Sequence, residues 1–121
     1  MKESLIKTKS FEFAVNVVNL YKFLTTEKKE FVLSKQLLRS GTSVGAMVRE
    51  AEHSKSTSDF IHKLAIAQKE INETIYWLEL LYQTKYLNQN EFQKINEEAI
   101  VIIKMLTAII KTTKNKRANN C

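Results

Sequence analysis

A chain of 121 residues with no proline and only two glycines is poorly suited to a β-rich fold, which needs turn residues between short strands. Both glycines, Gly41 and Gly45, stand four residues apart in one stretch, Leu37 to Ala51, reading LLRSGTSVGAMVREA. In a helix interior each glycine costs about 1 kcal/mol relative to alanine. A chain that otherwise avoids helix breakers therefore places them for close approach, whether of a neighbouring helix, a second subunit or a ligand.

The apolar spacing around them is helical. Leu33, Leu37, Gly41, Val44, Val48 and Ala51 advance by fours and threes, a heptad-like seam with glycine at its centre. Leu64, Ala67, Ile71, Thr74, Leu78 and Leu81 repeat the pattern, as do Phe92, Ile95, Ala99, Ile102, Leu106 and Ile109. Ala14, Val17, Val18, Tyr21 and Leu24 mark a further apolar face. These faces predict helices over about 10–25, 30–53, 59–84 and 90–113, with Ser10, Ser58 or Thr57, and Asn88 or Asn90 as N-caps. Residues 1–9 read as a flexible arm and 114–121 as a basic tail. Four amphipathic helices with short connections predict one domain over 1–121: an all-α, antiparallel up-down-up-down four-helix bundle. Both chain ends then fall at the same end of the bundle.

The net charge of +6 is concentrated at those ends. Lys2, Lys7 and Lys9 face only Glu3 in the first ten residues, and Lys104, Lys111, Lys114, Lys116 and Arg117 face no acid in the last eighteen. Lysines at a chain end neutralise phosphates without reading base sequence. RNA or DNA backbone is therefore the expected contact of Lys7, Lys9, Lys111, Lys114, Lys116 and Arg117, with Arg39 added if it is exposed in an assembly. A solvated tail that aids solubility is the competing explanation. No apolar run approaches membrane-spanning length, no secretory signal is evident, and the single cysteine, Cys121, has no partner for an intrachain disulfide. A cytoplasmic protein without a membrane contact is expected.

No catalytic or cofactor arrangement emerges. The run Arg39 to Gly45 lacks the order of a phosphate-binding loop and follows no strand. Glu50 and His53 form an E-x-x-H sequence, but a di-iron bundle needs a second one, and residue 59, three before His62, is aspartate. Arg39, Glu50, Glu70 and Glu73 read as a polar network between helices. Ser43 and the two histidines make no nucleophile arrangement. Tyr76 and Trp77 are adjacent on a helix, so one looks away from the local core, into solvent or a subunit interface. Gly41, Ser43, Gly45, Glu50, Tyr76 and Trp77 are thus candidates for helix packing or subunit contact, and neither metal nor cofactor is expected.

Two long blocks, QLLRSGTSVGAMVREA from Gln36 to Ala51 and SDFIHKLAIAQKEINETIYWLELL from Ser58 to Leu81, resemble the bacterial four-helix bundle family encoded by intervening sequences of 23S ribosomal RNA genes. The resemblance begins at KSFEFAVNVVNLYKFL and runs to about Lys114. Arg39, Ser43, Gly45 and Glu50 match the family signature, whereas Met47 stands where the family often has asparagine. The resemblance implies a ring-shaped homopentamer without enzymatic activity. It also implies kinship with the accessory variability proteins of diversity-generating retroelements, basic pentamers that bind a reverse transcriptase and nucleic acid. A reverse transcriptase or a ribosomal component is therefore an implied partner.

Overall fold

The computed structural model describes the backbone of residues 2–119 and the side chains of residues 5–119; Cys121 lies outside them. Four helices follow one another: α1 (Lys2–Thr26), α2 (Leu33–Glu52), α3 (Thr57–Gln83) and α4 (Gln89–Asn119). No strand occurs among the described residues. Helix α1 packs against α2 and α4, and α3 packs against the same two, while the diagonal pairs lie further apart across the core. The shared core is filled by Phe13, Val17, Leu24, Leu37, Leu64, Ile71, Leu78, Leu81, Ile102 and Leu106, all at most 2% exposed.

The seams of α3 and α4 follow the apolar alternation closely. Leu64, Ala67, Ile71, Thr74, Leu78 and Leu81 are buried, as are Ile95, Ala99, Ile102, Leu106 and Ile109. Helix α1 differs from expectation. It begins at Lys2 rather than near residue 10, and its buried stripe is Ile6, Ser10, Phe13, Val17 and Leu24. Ser10 is therefore not an N-cap. It is a small seam residue, 1% exposed, whose hydroxyl donates to the Lys7 carbonyl at 3.2 Å. Helix α4 likewise continues to Asn119 instead of fraying after Thr113. Lysine and arginine are good helix formers, and Lys116 and Arg117 in the last turn complement the negative end of the helix dipole.

The caps are specific. Ser56, rather than Ser58 or Thr57, starts α3, its hydroxyl accepting from Asp59 N at 3.0 Å. Asn88 starts α4 in a reciprocal box: Asn88 Oδ1 accepts from Glu91 N, and Glu91 Oε1 from Asn88 N, both at 2.8 Å. Glu30 lies outside α2 and caps it from upstream. Its carboxylate accepts from the backbone N–H groups of Val32 at 3.1 Å, Leu33 at 2.9 Å and Ser34 at 2.6 Å. Burial opposes the charge, but these N–H groups outweigh it and hold the Glu30 carboxyl below its ordinary value.

Candidate nucleic-acid interface

The early part of α1 and the second half of α4 lie at the same level of the bundle. Ile6 near the start of α1 and Ile109 in the second half of α4 border the same small cavity, of about 30 Å³, closed by Val48 and Ala51 of α2 and by Phe60 and Leu64 of α3. Basic side chains of α1 and α4 reach toward the α2–α3 connection beside it. Lys7 Nζ lies 3.2 Å from Glu52 Oε1 at the end of α2. Arg117 Nη1 donates to Ser58 Oγ in the first turn of α3 at 3.0 Å. Lys111, Lys114 and Lys116 are exposed along the last turns of α4. Lys9 borders a cleft of about 380 Å³ between α1 and α4, shared with Glu12, Asn16 and Glu98. The helical continuation fixes the spacing of the tail lysines, where a flexible tail was expected.

Arg39 stands apart from this group. It lies on the outer face of α2 and α3, with Nη1 3.5 Å from Glu70 Oε1 and Nη2 paired to Glu73 Oε2. Glu73 also accepts from Trp77 Nε1 at 3.2 Å. Tyr76 meets the Trp77 ring edge-on, with centroids 5.0 Å apart, and is 57% exposed. Tyr76 faces solvent, while Trp77 is half-buried and tied to the ion-pair cluster. Glu50 pairs with Lys63 Nζ at 3.1 Å, and Ser43 Oγ donates within α2 to the Arg39 carbonyl at 2.6 Å.

At the two glycines α1 comes close to α2. A Cβ on Gly41 would lie 2.8 Å from both terminal methyls of Val17. One on Gly45 would lie 3.3 Å from the Ser10 carbonyl oxygen. The partner of Gly45 is thus backbone, which is why a small residue sits at position 10. Sequence reasoning did not single out Ser40. Its buried hydroxyl accepts from Thr74 Oγ1 at 2.9 Å, a polar tie between α2 and α3 inside the core. A serine between the seam residues Leu37 and Gly41 was the available signal. Among the described residues no group of three or more His, Cys, Asp or Glu side chains is placed to hold a metal ion, and no helix is long and apolar enough to cross a membrane.

Fold and charge together define an all-α, four-helix protein with a row of exposed lysines along the last turns of its fourth helix. Residues 2–108 match the 23S rRNA-intervening sequence protein family, and the chain belongs to that family. Among solved structures it is similar to a protein of unknown function from the S23 ribosomal protein family of Bacteroides thetaiotaomicron VPI-5482. The two are 58% identical with a TM-score of 0.91, over 92% of this chain and 99% of that one. No curated protein matches the chain.

Proposed function

We propose that this protein is a non-enzymatic oligomeric scaffold that associates with RNA or DNA in the cytoplasm through the backbone phosphates. The reading is supported by Lys7 and Arg117, which reach Glu52 and Ser58 on either side of the α2–α3 connection, together with the exposed Lys111, Lys114 and Lys116 of the last turns of α4 and Lys9 on the α1–α4 cleft. Residue numbers rise on one helix as they fall on its neighbour: Lys7 with Glu52 and Val17 with Gly41, Arg39 with Glu73 and Glu50 with Lys63, Gln68 with Thr107 and Tyr82 with Phe92, Asn16 with Glu98 and Ile6 beside Ile109. These pairings support an antiparallel up-down-up-down order. In a ring-shaped homopentamer the basic end is repeated about the axis, which multiplies the phosphate contacts. Arg39, held by two carboxylates on the bundle's side, contributes to the side wall instead of the basic end. A reverse transcriptase or a ribosomal component fits as the protein that such a scaffold presents to nucleic acid.

Two measurements test this reading. Native mass after nuclease treatment should correspond to five chains of 14.0 kDa. Labelled RNA and DNA of unrelated sequences should bind with similar affinity at low salt. A nuclease-treated monomer, or no binding at low salt, contradicts it.

The exposed Tyr76 beside Trp77 and the Arg39 cluster favours a second reading, a protein-interaction module with no nucleic-acid contact. That reading requires a discrete protein partner retained after nuclease treatment and lost in Tyr76→Ala.

A further inference from the structure

The end of the bundle away from the chain termini carries a different surface. Phe31 and Val32, in the connection between α1 and α2, are 60% and 71% exposed, more than any other large hydrophobic side chain described. They are not on a loose loop. The Glu30 carboxylate grips the N–H groups of Val32, Leu33 and Ser34, and Glu30 N donates back to the Leu24 carbonyl at 3.0 Å. The backbone on either side of Phe31 is therefore pinned by hydrogen bonds. At the same end, the end of α1 and the α3–α4 connection border an open recess of about 680 Å³ lined by Phe23, Tyr82, Lys28, Lys85 and Glu91 among others. Lys28 Nζ stands 5.8 Å above the Phe23 ring, and Tyr82 is fixed by stacking on Phe92 at 4.7 Å.

We propose that this loop end is a second nucleic-acid contact, one that takes unpaired bases. It rests on the reading of the protein as a nucleic-acid scaffold and assigns it a preference for single strands. Aromatic rings interleaved with lysines are what single-stranded nucleic acid uses, because every base has a face to stack and every nucleotide a phosphate. Phe31 supplies an exposed ring, and Lys28, Lys29 and Lys85 supply the cations. Of the acids nearby, Glu30 is buried under the N–H groups it accepts from, Glu91 lines the recess with Oε1 on Asn88 N, and Glu27 is exposed, so the three lysines sit among three carboxylates and the rings carry the preference for unpaired bases. The side-chain amides of Gln83 and Asn88 border the same recess; Asn88 Oδ1 is taken by Glu91 N, which leaves the Asn88 NH2 and the Gln83 amide to offer to base edges. A lipid surface would use the apolar tip but find no use for these amides. The terminal lysines, by contrast, have no aromatic ring interleaved along α4 and suit duplex and single strand alike.

The test compares a labelled oligouridylate with a duplex of equal length, binding to the full chain at low salt. Phe31→Ser, and separately Lys28→Glu with Lys85→Glu, should weaken oligouridylate binding about tenfold and change duplex binding less than about twofold. Phe31→Tyr should retain wild-type affinity. Unchanged melting and circular dichroism of Phe31→Ser, expected for an exposed residue, separate loss of contact from loss of fold. Intact binding of both ligands in Phe31→Ser overturns the stacking role and leaves the scaffold reading standing. Equal loss for both ligands, or loss of binding to anionic vesicles with RNA unaffected, also overturns it. If the wild type binds neither nucleic acid, the scaffold reading itself fails.

Discussion

Helix α1 is held very differently on its two sides. Toward α2, Gly41 and Gly45 let the helices close until Val17 methyls and the Ser10 backbone fill the space a side chain would take. Toward α4, the seam opens into clefts of about 380 and 280 Å³, spanned by a bond from Asn16 Nδ2 to Glu98 Oε1 at 2.7 Å. Interiors packed to crystal density cannot absorb an added methyl, whereas an open polar cleft rearranges at little cost. The α1–α2 hairpin is therefore the rigid half of α1's environment, and the α4 side is the tolerant one.

The largest expected effect falls on the rigid side. Gly41→Ala gains about 1 kcal/mol of helix propensity but drives its Cβ into stiff, buried Val17, for a net loss of about 1–2 kcal/mol in urea melts. Adding Val17→Ala should cost less than the sum of the two single changes, because the second removes the atoms the first strikes. Gly45→Ala, with 3.3 Å of room, should be milder.

Next comes the turn that closes the same hairpin. Glu30→Gln should cost about 1 kcal/mol at neutral pH, as losses of helix caps do. The folded-state carboxyl is held below its ordinary value, so its contribution is full above the unfolded carboxylate range and is lost as pH falls through the folded value. Wild type and Glu30→Gln should therefore converge in acid. In the opposite direction, Lys29 has a positive φ of 54°, a conformation glycine adopts without strain, so Lys29→Gly should stabilise by about 0.5 kcal/mol. The smallest effect belongs to the open side: Asn16→Ala, losing an exposed bond, should change stability by less than about 0.5 kcal/mol. A loss there as large as that of Gly41→Ala would erase the distinction between the two sides.

The same contrast explains what could be read from the letters. Helices α3 and α4 were legible because their seam positions from Leu64 to Leu81 and Ile95 to Ile109 are apolar, apart from one threonine. Helix α1 was half-hidden because Ser10, a polar letter, occupies a seam position and looks like a cap. Ser34 and Ser40 disguise burial in α2 the same way, their hydroxyls bonding to the Glu30 and Leu37 carbonyls at 2.7 and 3.5 Å. A glutamate that caps from outside the helix, as Glu30 does, matches none of the usual start signals. Among site residues, the terminal lysines stood out as cations without acids over the last eighteen residues. Placing Arg39 between Glu70 and Glu73 required the register of α2 on α3.

The scaffold reading meets its most direct test in the salt dependence of RNA binding. The slope of log affinity against log salt counts the phosphates neutralised, at roughly 0.9 per contact on a duplex and 0.7 on a single strand. Wild type and the triple variant Lys111→Ala, Lys114→Ala, Lys116→Ala should both fold, since these lysines are exposed. We expect a steep slope for the wild type that falls by about one for each phosphate-contacting lysine removed, equally across unrelated sequences. Identical slopes for the two proteins, or affinity independent of salt, would show that the basic end of the bundle does not hold nucleic acid.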